Sequence, residues 1–198
     1  MDYRLFLQEK DDFCGRIYGL RLGKIDVLRA AMEADIEKNG LAKPFLIVPI
    51  GQTHARLQKA FREKIEVYYV FSEELDDLDK VRHDRWPAQS YFIRHGGHRE
   101  ANEGDRELKL LSAEKIWERK IATMTSLEIS QFSFEHALAN GAFIDTQSVS
   151  LASGSRLSDG NVSDGNVPLV IFLGGQISVF GWYPSLSDDS VRARLAAV

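Results

Sequence analysis

The residue types best suited to chemistry crowd one short run, where Gly51, Gln52, Thr53, His54, Arg56 and Lys59 follow the apolar stretch Phe45–Ile50. Glycine lets an anion approach the backbone closely. A helix start leaves unpaired N–H groups and a partial positive charge, and Arg and Lys add full charges. A strand delivering the chain into a glycine turn and a polar helix start therefore predicts a phosphate site. A second concentration lies between Arg82 and Arg106, where Arg82, His83, Arg85, Arg94, His95, His98 and Arg99 are interleaved with Trp86, Tyr91 and Phe92. As a group, Arg82, Arg85, Arg94, His95, His98 and Arg99 read as a cationic, aromatic-bearing wall for nucleic acid or a second anion; a solvated loop with its aromatics on the core explains the same residues.

The elements that must hold these groups follow from periodicity. Tyr3–Leu7 reads as an opening strand, and the alternation in Arg16–Leu22 as a half-buried one. From Lys24 the period lengthens: Leu28, Met32 and Ile36 fall on one stripe, giving a helix over 25–39 that ends at Asn39-Gly40, with Leu41 packing back on its last turn. Pro44 precedes a strand at 45–48, Thr53 caps a helix to Glu63, and Ile65–Phe71 is the next strand. Acidic Ser72–Lys80 reads as a solvated helical turn, and Gln89–Arg94 as a strand. Further helices are predicted from Ser112 to about Thr125 and over Ser133–Asn140. The chain then turns β-rich: Val170–Leu173, Gly174-Gly175 and Gln176–Phe180 form a hairpin. In the tandem Ser-Asp-Gly-Asn-Val repeat, Asp159, Asn161, Asp164 and Asn166 read as turn residues rather than calcium ligands.

Composition bounds the class. The chain has 198 residues, 44% hydrophobic and 27% charged, as expected for one globular domain or one with a small addition. A net charge of −4 argues against coating nucleic acid through the overall field, though not against a local basic groove. No apolar run approaches a membrane span, and the start MDYRLFLQEKDD is unlike a signal peptide, so a cytoplasmic location is expected. The lone Cys14 excludes an internal disulfide and reads as a buried small hydrophobe. His95-x-x-His98 without a third ligand is weak as a metal motif, and neither a Walker loop nor a G-x-S-x-G elbow is present.

The order Ile36-Glu37-Lys38-Asn39-Gly40-Leu41, Pro44, Phe45–Val48, Gly51-Gln52-Thr53-His54-Ala55-Arg56, Ala60 and Ile65-Glu66-Val67-Tyr68-Tyr69-Val70 resembles the core of the ParB/sulfiredoxin-like superfamily. The resemblance centres on Asn39–Val70. It implies a mixed α/β (α+β) domain over 1–125, with 126–198 a helical then β-rich extension packed on the same core. It further implies ATP or CTP with Mg as cofactor and phosphoryl transfer to a DNA base or other small acceptor. Carried over by position, Gly51 gives backbone approach, Gln52, Thr53 and Lys59 complete the cofactor site, and His54 and Arg56 neutralise charge during transfer. His54 stands where the family box has arginine and Arg56 lies two residues on, so which takes that role stays open. No counterpart of sulfiredoxin's cysteine is present, and the span from Pro44 to Gly51 is short. Tyr91-Phe92-Ile93-Arg94-His95-Gly96 also resembles the histidine phosphatases, but there the motif opens the fold.

The sequence thus leads to a nucleotide- or phosphate-binding protein acting on or near DNA or RNA, its metal and catalytic carboxylate undefined among Asp26, Glu33, Asp76, Asp77 and Asp79. Two alternatives stand beside it: a non-catalytic interaction protein of immunity, adaptor or inhibitor type, and a non-catalytic nucleic-acid accessory factor.

Overall fold

A computed structural model describes residues 2–40, 44–71, 73–104, 106–157 and 166–196 of the chain. The architecture is mixed α+β. Helix α1, Tyr3–Tyr18, is capped by the Asp2 carboxylate, which accepts from the N–H groups of Arg4 and Leu5, and it closes on Gly19 at φ 67°. This replaces both strands expected at 3–7 and 16–22. Leu7, Cys14 and Tyr18 are buried, so the operative spacing is helical; the alternation read from Arg16 onward borrowed residues of a helix and its exit. Cys14 is free and fully buried.

Helix α2 spans Ile25–Asn39, as the periodicity predicts, and its C-cap Gly40 has φ 72°. Leu41, expected to pack back on it, lies outside the described residues. Strand β1, Phe45–Val48, leads into α3, His54–Ile65, capped by Thr53, and β2, Tyr68–Val70, is shorter than the expected 65–71. After a 3₁₀ turn at Glu73–Asp76 come β3, Val81–His83, and β4, Tyr91–Arg94.

Two later helices differ from expectation. Helix α4 covers only Ala113–Glu118, because the chain after Ile121 is drawn into a bridge between Thr123 and Leu195. Helix α5, Ser126–Asn140, starts a full two turns before the predicted Ser133, from a capping box in which Thr125 and Glu128 satisfy each other's backbone N–H. It is buried nearly all round although it carries Ser126, Glu128, Ser130, Gln131 and Ser133 inside. Periodicity could not find its first half, since its polar residues are internal bonding partners rather than a wet face.

The C-terminal part supplies β5, Val149–Leu151; β6, Ser155–Leu157; β7, Val167–Leu173; β8, Gln176–Trp182; and β9, Val191–Ala193. The predicted hairpin is β7–β8, turning through Gly174 and Gly175 at φ 61° and 82°, values that glycine adopts readily. The tandem repeat falls outside the described residues apart from Asn166 and Val167. A five-stranded sheet runs β2-β8-β7-β5-β9, with β2 parallel to β8 and β5 parallel to β9; β1 pairs with β4 and β3 with β6. Since β2 and β3 come from the first half of the chain and β8 and β6 from the second, and Thr123 bridges to Leu195, pairing among the described residues joins the parts before and after residue 125.

One face of the five-stranded sheet presents Tyr69, Val170, Phe172, Ile177 and Val179 to the main core, which also holds Leu7, Phe61, Ile47, Ile93 and Phe134. The other face carries Leu151, Val167, Leu169, Val191 and Ala193 beneath Ile116 of α4 and Leu108. No helix among the described residues is long and apolar enough to cross a membrane.

Candidate functional site

Beyond β1 the chain turns at Gly51, which takes φ 77° as the expected turn requires, but its N–H donates to the Pro87 carbonyl at 2.9 Å. The Gln52 N–H goes to Pro49 O at 3.2 Å and the Thr53 N–H to Gln52 Oε1 at 3.3 Å. At the first turn of α3, Thr53 Oγ1 accepts from Arg56 N at 3.1 Å. The Asp76 carboxylate takes the two amides before it, His54 N at 2.8 Å and Ala55 N at 2.9 Å. The anion at this helix start is thus part of the protein. Every amide that was expected to face a phosphate already has an acceptor, and Asp76, one of five undistinguished carboxylates in the sequence, is what fills the place. Asp76→Ala is expected to lower stability by about 0.5–2 kcal/mol, as loss of a helix cap does; urea unfolding of both proteins measures it.

The two residues expected to share the charge-neutralising role are on opposite sides of α3. Arg56 is exposed, as is Lys59, whose ammonium lies 3.8 Å from Glu63. His54 is fully buried between Tyr69 and Phe71, with Nδ1 bonded to the Tyr69 hydroxyl and Nε2 3.1 Å from Ser126 Oγ. Tyr69 donates onward to Ser130 Oγ at 2.8 Å, so His54 Nδ1 carries the proton and Nε2 accepts from Ser126. Burial, assisted by the nearby His83, pushes the His54 pKa down to about 3. A second histidine continues the same polar thread: His83 Nδ1 lies 2.8 Å from Ser155 Oγ, and Nε2 donates to Leu75 O at 3.1 Å. The thread fastens α3, β2, α5 and β6 together inside the molecule.

The cationic group disperses in the fold. Arg85 forms a two-pronged pair with the fully buried Glu128 at 2.7 and 2.8 Å, and Tyr91 donates to the same carboxylate at 3.0 Å. Arg94 is buried against Asp35 and lies over the Phe45 ring; His95 is buried on Phe132 with ring centroids 4.4 Å apart. Arg99 reaches Phe143 O at 3.1 Å, while Arg82 and His98 are exposed on separate segments. Half of the expected wall is therefore interior, spent on internal bonds, and of the rest Arg82 lies on a different segment from the adjacent, exposed His98 and Arg99. Among the described residues no group of three His, Cys, Asp or Glu side chains could hold a metal ion.

What the molecule does leave open is apolar. On the outer face of the sheet, register aligns Tyr68 with Gln176 and Leu173, and Val70 with Ser178 and Ile171, with Phe180 next along β8. Helix α4 covers the β5–β9 half of this face and stops short of these rows. Tyr68 is 75%, Leu173 68%, Val70 49% and Phe180 45% exposed, and no residue in the rows is charged. Gln58 Nε2 meanwhile occupies the Tyr69 carbonyl at 2.9 Å on the outermost strand, so that edge is partly closed to another strand. Sequence reasoning missed the face because its members are alternate residues of three separate strands. The signal available was the unbroken apolar character of Val167–Leu173, which supplies apolar residues to both faces of the sheet although only its first four are buried. No family model matches the chain, and neither a curated protein nor a solved structure matches it.

Proposed function

We propose that this protein is a non-catalytic binding module that docks a partner protein face-on against the uncovered half of its sheet. The single observation that carries this reading is the row of exposed, uncharged, largely apolar side chains Tyr68, Val70, Leu173 and Phe180, which a chain without a partner would leave in water. The groups that would serve catalysis argue in the same direction: His54, Arg85 and Glu128 are tied into internal bonds, and the α3 amides hold Asp76. With a net charge of −4 on the chain and none on the face itself, the matching partner is a basic protein with an apolar contact patch. Long-range attraction would bring it in and burial would hold it.

The test compares wild type, Tyr68→Asp/Leu173→Asp and, as a control at an exposed apolar position elsewhere, Leu138→Asp. Light scattering first establishes the oligomeric state, and affinity capture is then followed by reconstitution with the purified captured protein. A basic protein bound by wild type and Leu138→Asp, and lost in the face variant, is the expected result. Capture unaffected by the face variant would overturn the proposal. So would a dimer that the face variant dissolves, which would make the occupant a second copy. ATP and CTP with Mg are expected to leave the melting temperature unchanged; a rise abolished by Arg56→Ala would restore the phosphate reading.

A further inference from the structure

A groove of about 380 Å³ runs between the start of α2 and the chain entering β4. Leu22, Leu28 and Phe92 form its walls, and the lining residues Val27 and Ile50 are 65% and 43% exposed. Its shape is fixed by one hydroxyl. Ser90 Oγ accepts from Ile50 N at 2.9 Å and donates to Leu22 O, so a single side chain ties both banks together and has no hydrogen left for a ligand. Tyr91 also lines the groove, but its hydroxyl is spent on Glu128 in the interior. Among the described residues that line the groove, the one ionised residue is the cation Lys24.

An apolar, preformed cleft of this volume with one charged group at its side has the make-up of a small-molecule site, in which burial supplies affinity and the single charge sets orientation. From this combination we infer that the groove binds small amphipathic anions: a single aromatic ring or short branched acyl chain in the cleft, with its carboxylate beside Lys24. This site is separate from the sheet face and does not depend on the function proposed above.

The probe is 3-phenylpropionate, with neutral 3-phenylpropanol for comparison, titrated into ¹⁵N-labelled full chain. The expected result is saturable shifts confined to the amides of 22–28 and 88–92, with the acid bound at least tenfold tighter than the alcohol. Lys24→Met should abolish that preference while leaving residual binding of both. Val27→Glu, a change at an exposed position that places a like charge in the lining, should weaken the acid more than the alcohol. Equal affinity for acid and alcohol in wild type, shifts centred outside the groove, or no saturable shift at millimolar probe would each overturn the assignment. An unchanged spectrum away from the groove shows that the variants remain folded.

Discussion

Arg85→Ala is expected to remove about 3–5 kcal/mol of folding stability, the cost of stranding one member of a buried ion pair. Glu128 is the deeper partner, fully enclosed, while the Arg85 side chain is 16% exposed. Removing the arginine therefore leaves a buried carboxylate without its counter-ion, held only by the Tyr91 hydroxyl and the Thr125 N–H, whereas Glu128→Gln leaves a guanidinium that is partly hydrated and still bonded to the Thr123 carbonyl at 2.6 Å. The arginine variant should accordingly lose more than the glutamine variant. The surroundings have adapted to the charge: burial, and then Glu128 itself, push the Tyr91 hydroxyl pKa well up, keeping it a neutral donor to the carboxylate. Because Glu128 also accepts from Thr125 N at 2.8 Å, the loss extends to the start of α5. Replacing both partners, as in Arg85→Met/Glu128→Leu, should recover part of the arginine variant's loss, since no uncompensated charge remains. Urea unfolding at neutral pH measures all four proteins. An Arg85→Ala loss below about 1 kcal/mol would show that the pair does not hold α5 in place.

The second large effect is a dependence on acid. His54 is neutral in the folded protein with a pKa of about 3, against about 6.5 in an unfolded chain. Between these values the unfolded state binds the extra proton, so stability rises with pH across the window and is fully present above about 6.5. As pH falls from 6.5 to 4.5 this group alone should withdraw about 2–3 kcal/mol, at about 1.4 kcal/mol per unit, with carboxylates joining toward the lower end of that window. His83, whose pKa burial also lowers, adds loss of the same sign. Below the ordinary carboxylate range Glu100 joins them. Burial acts against its ionisation, but bonds from the Gln147 N–H and from Thr146 and Ser148 outweigh that and hold its pKa below the usual value. The check is a set of urea midpoints at pH 4.5, 5.5, 6.5 and 7.5 for wild type and His54→Gln, which keeps polar atoms at the site without titrating. A flatter profile in the variant is expected. An identical slope would mean that His54 is not the buried neutral group its contacts describe.

Both expectations concern residues that the sequence offered in other roles, and the reason is the same in each case. His54 sits at a helix start after a glycine turn, and Arg85 in a run of cations, where local pattern favours an anion site. Neither pattern contains the acceptor that claims it in the fold. Glu128 lies 43 residues beyond Arg85, and Asp76 reaches the α3 amides from 21 and 22 residues away. The cationic run failed as a wall because Arg94 found Asp35 and His95 found Phe132, contacts that depend on where α2 and α5 pack.

By itself the sequence determined the features whose physics is local. Helix α2, the Thr53 cap of α3, the Gly51 and Gly40 turns and the Gly174-Gly175 hairpin stand where spacing and glycine or capping chemistry put them, because the responsible contacts span a few residues. Tertiary structure decided the rest. It made α1 a helix by giving Leu7, Cys14 and Tyr18 a common core to bury in, and it enclosed α5 so that its polar residues became internal fastenings. The same packing placed Asp76 on the α3 amides and left Tyr68, Val70, Leu173 and Phe180 uncovered. Those outcomes rest on long-range pairing between the two halves of the chain, and the free energy of an acceptor or an apolar wall that arrives from far along the sequence leaves no mark in the local pattern.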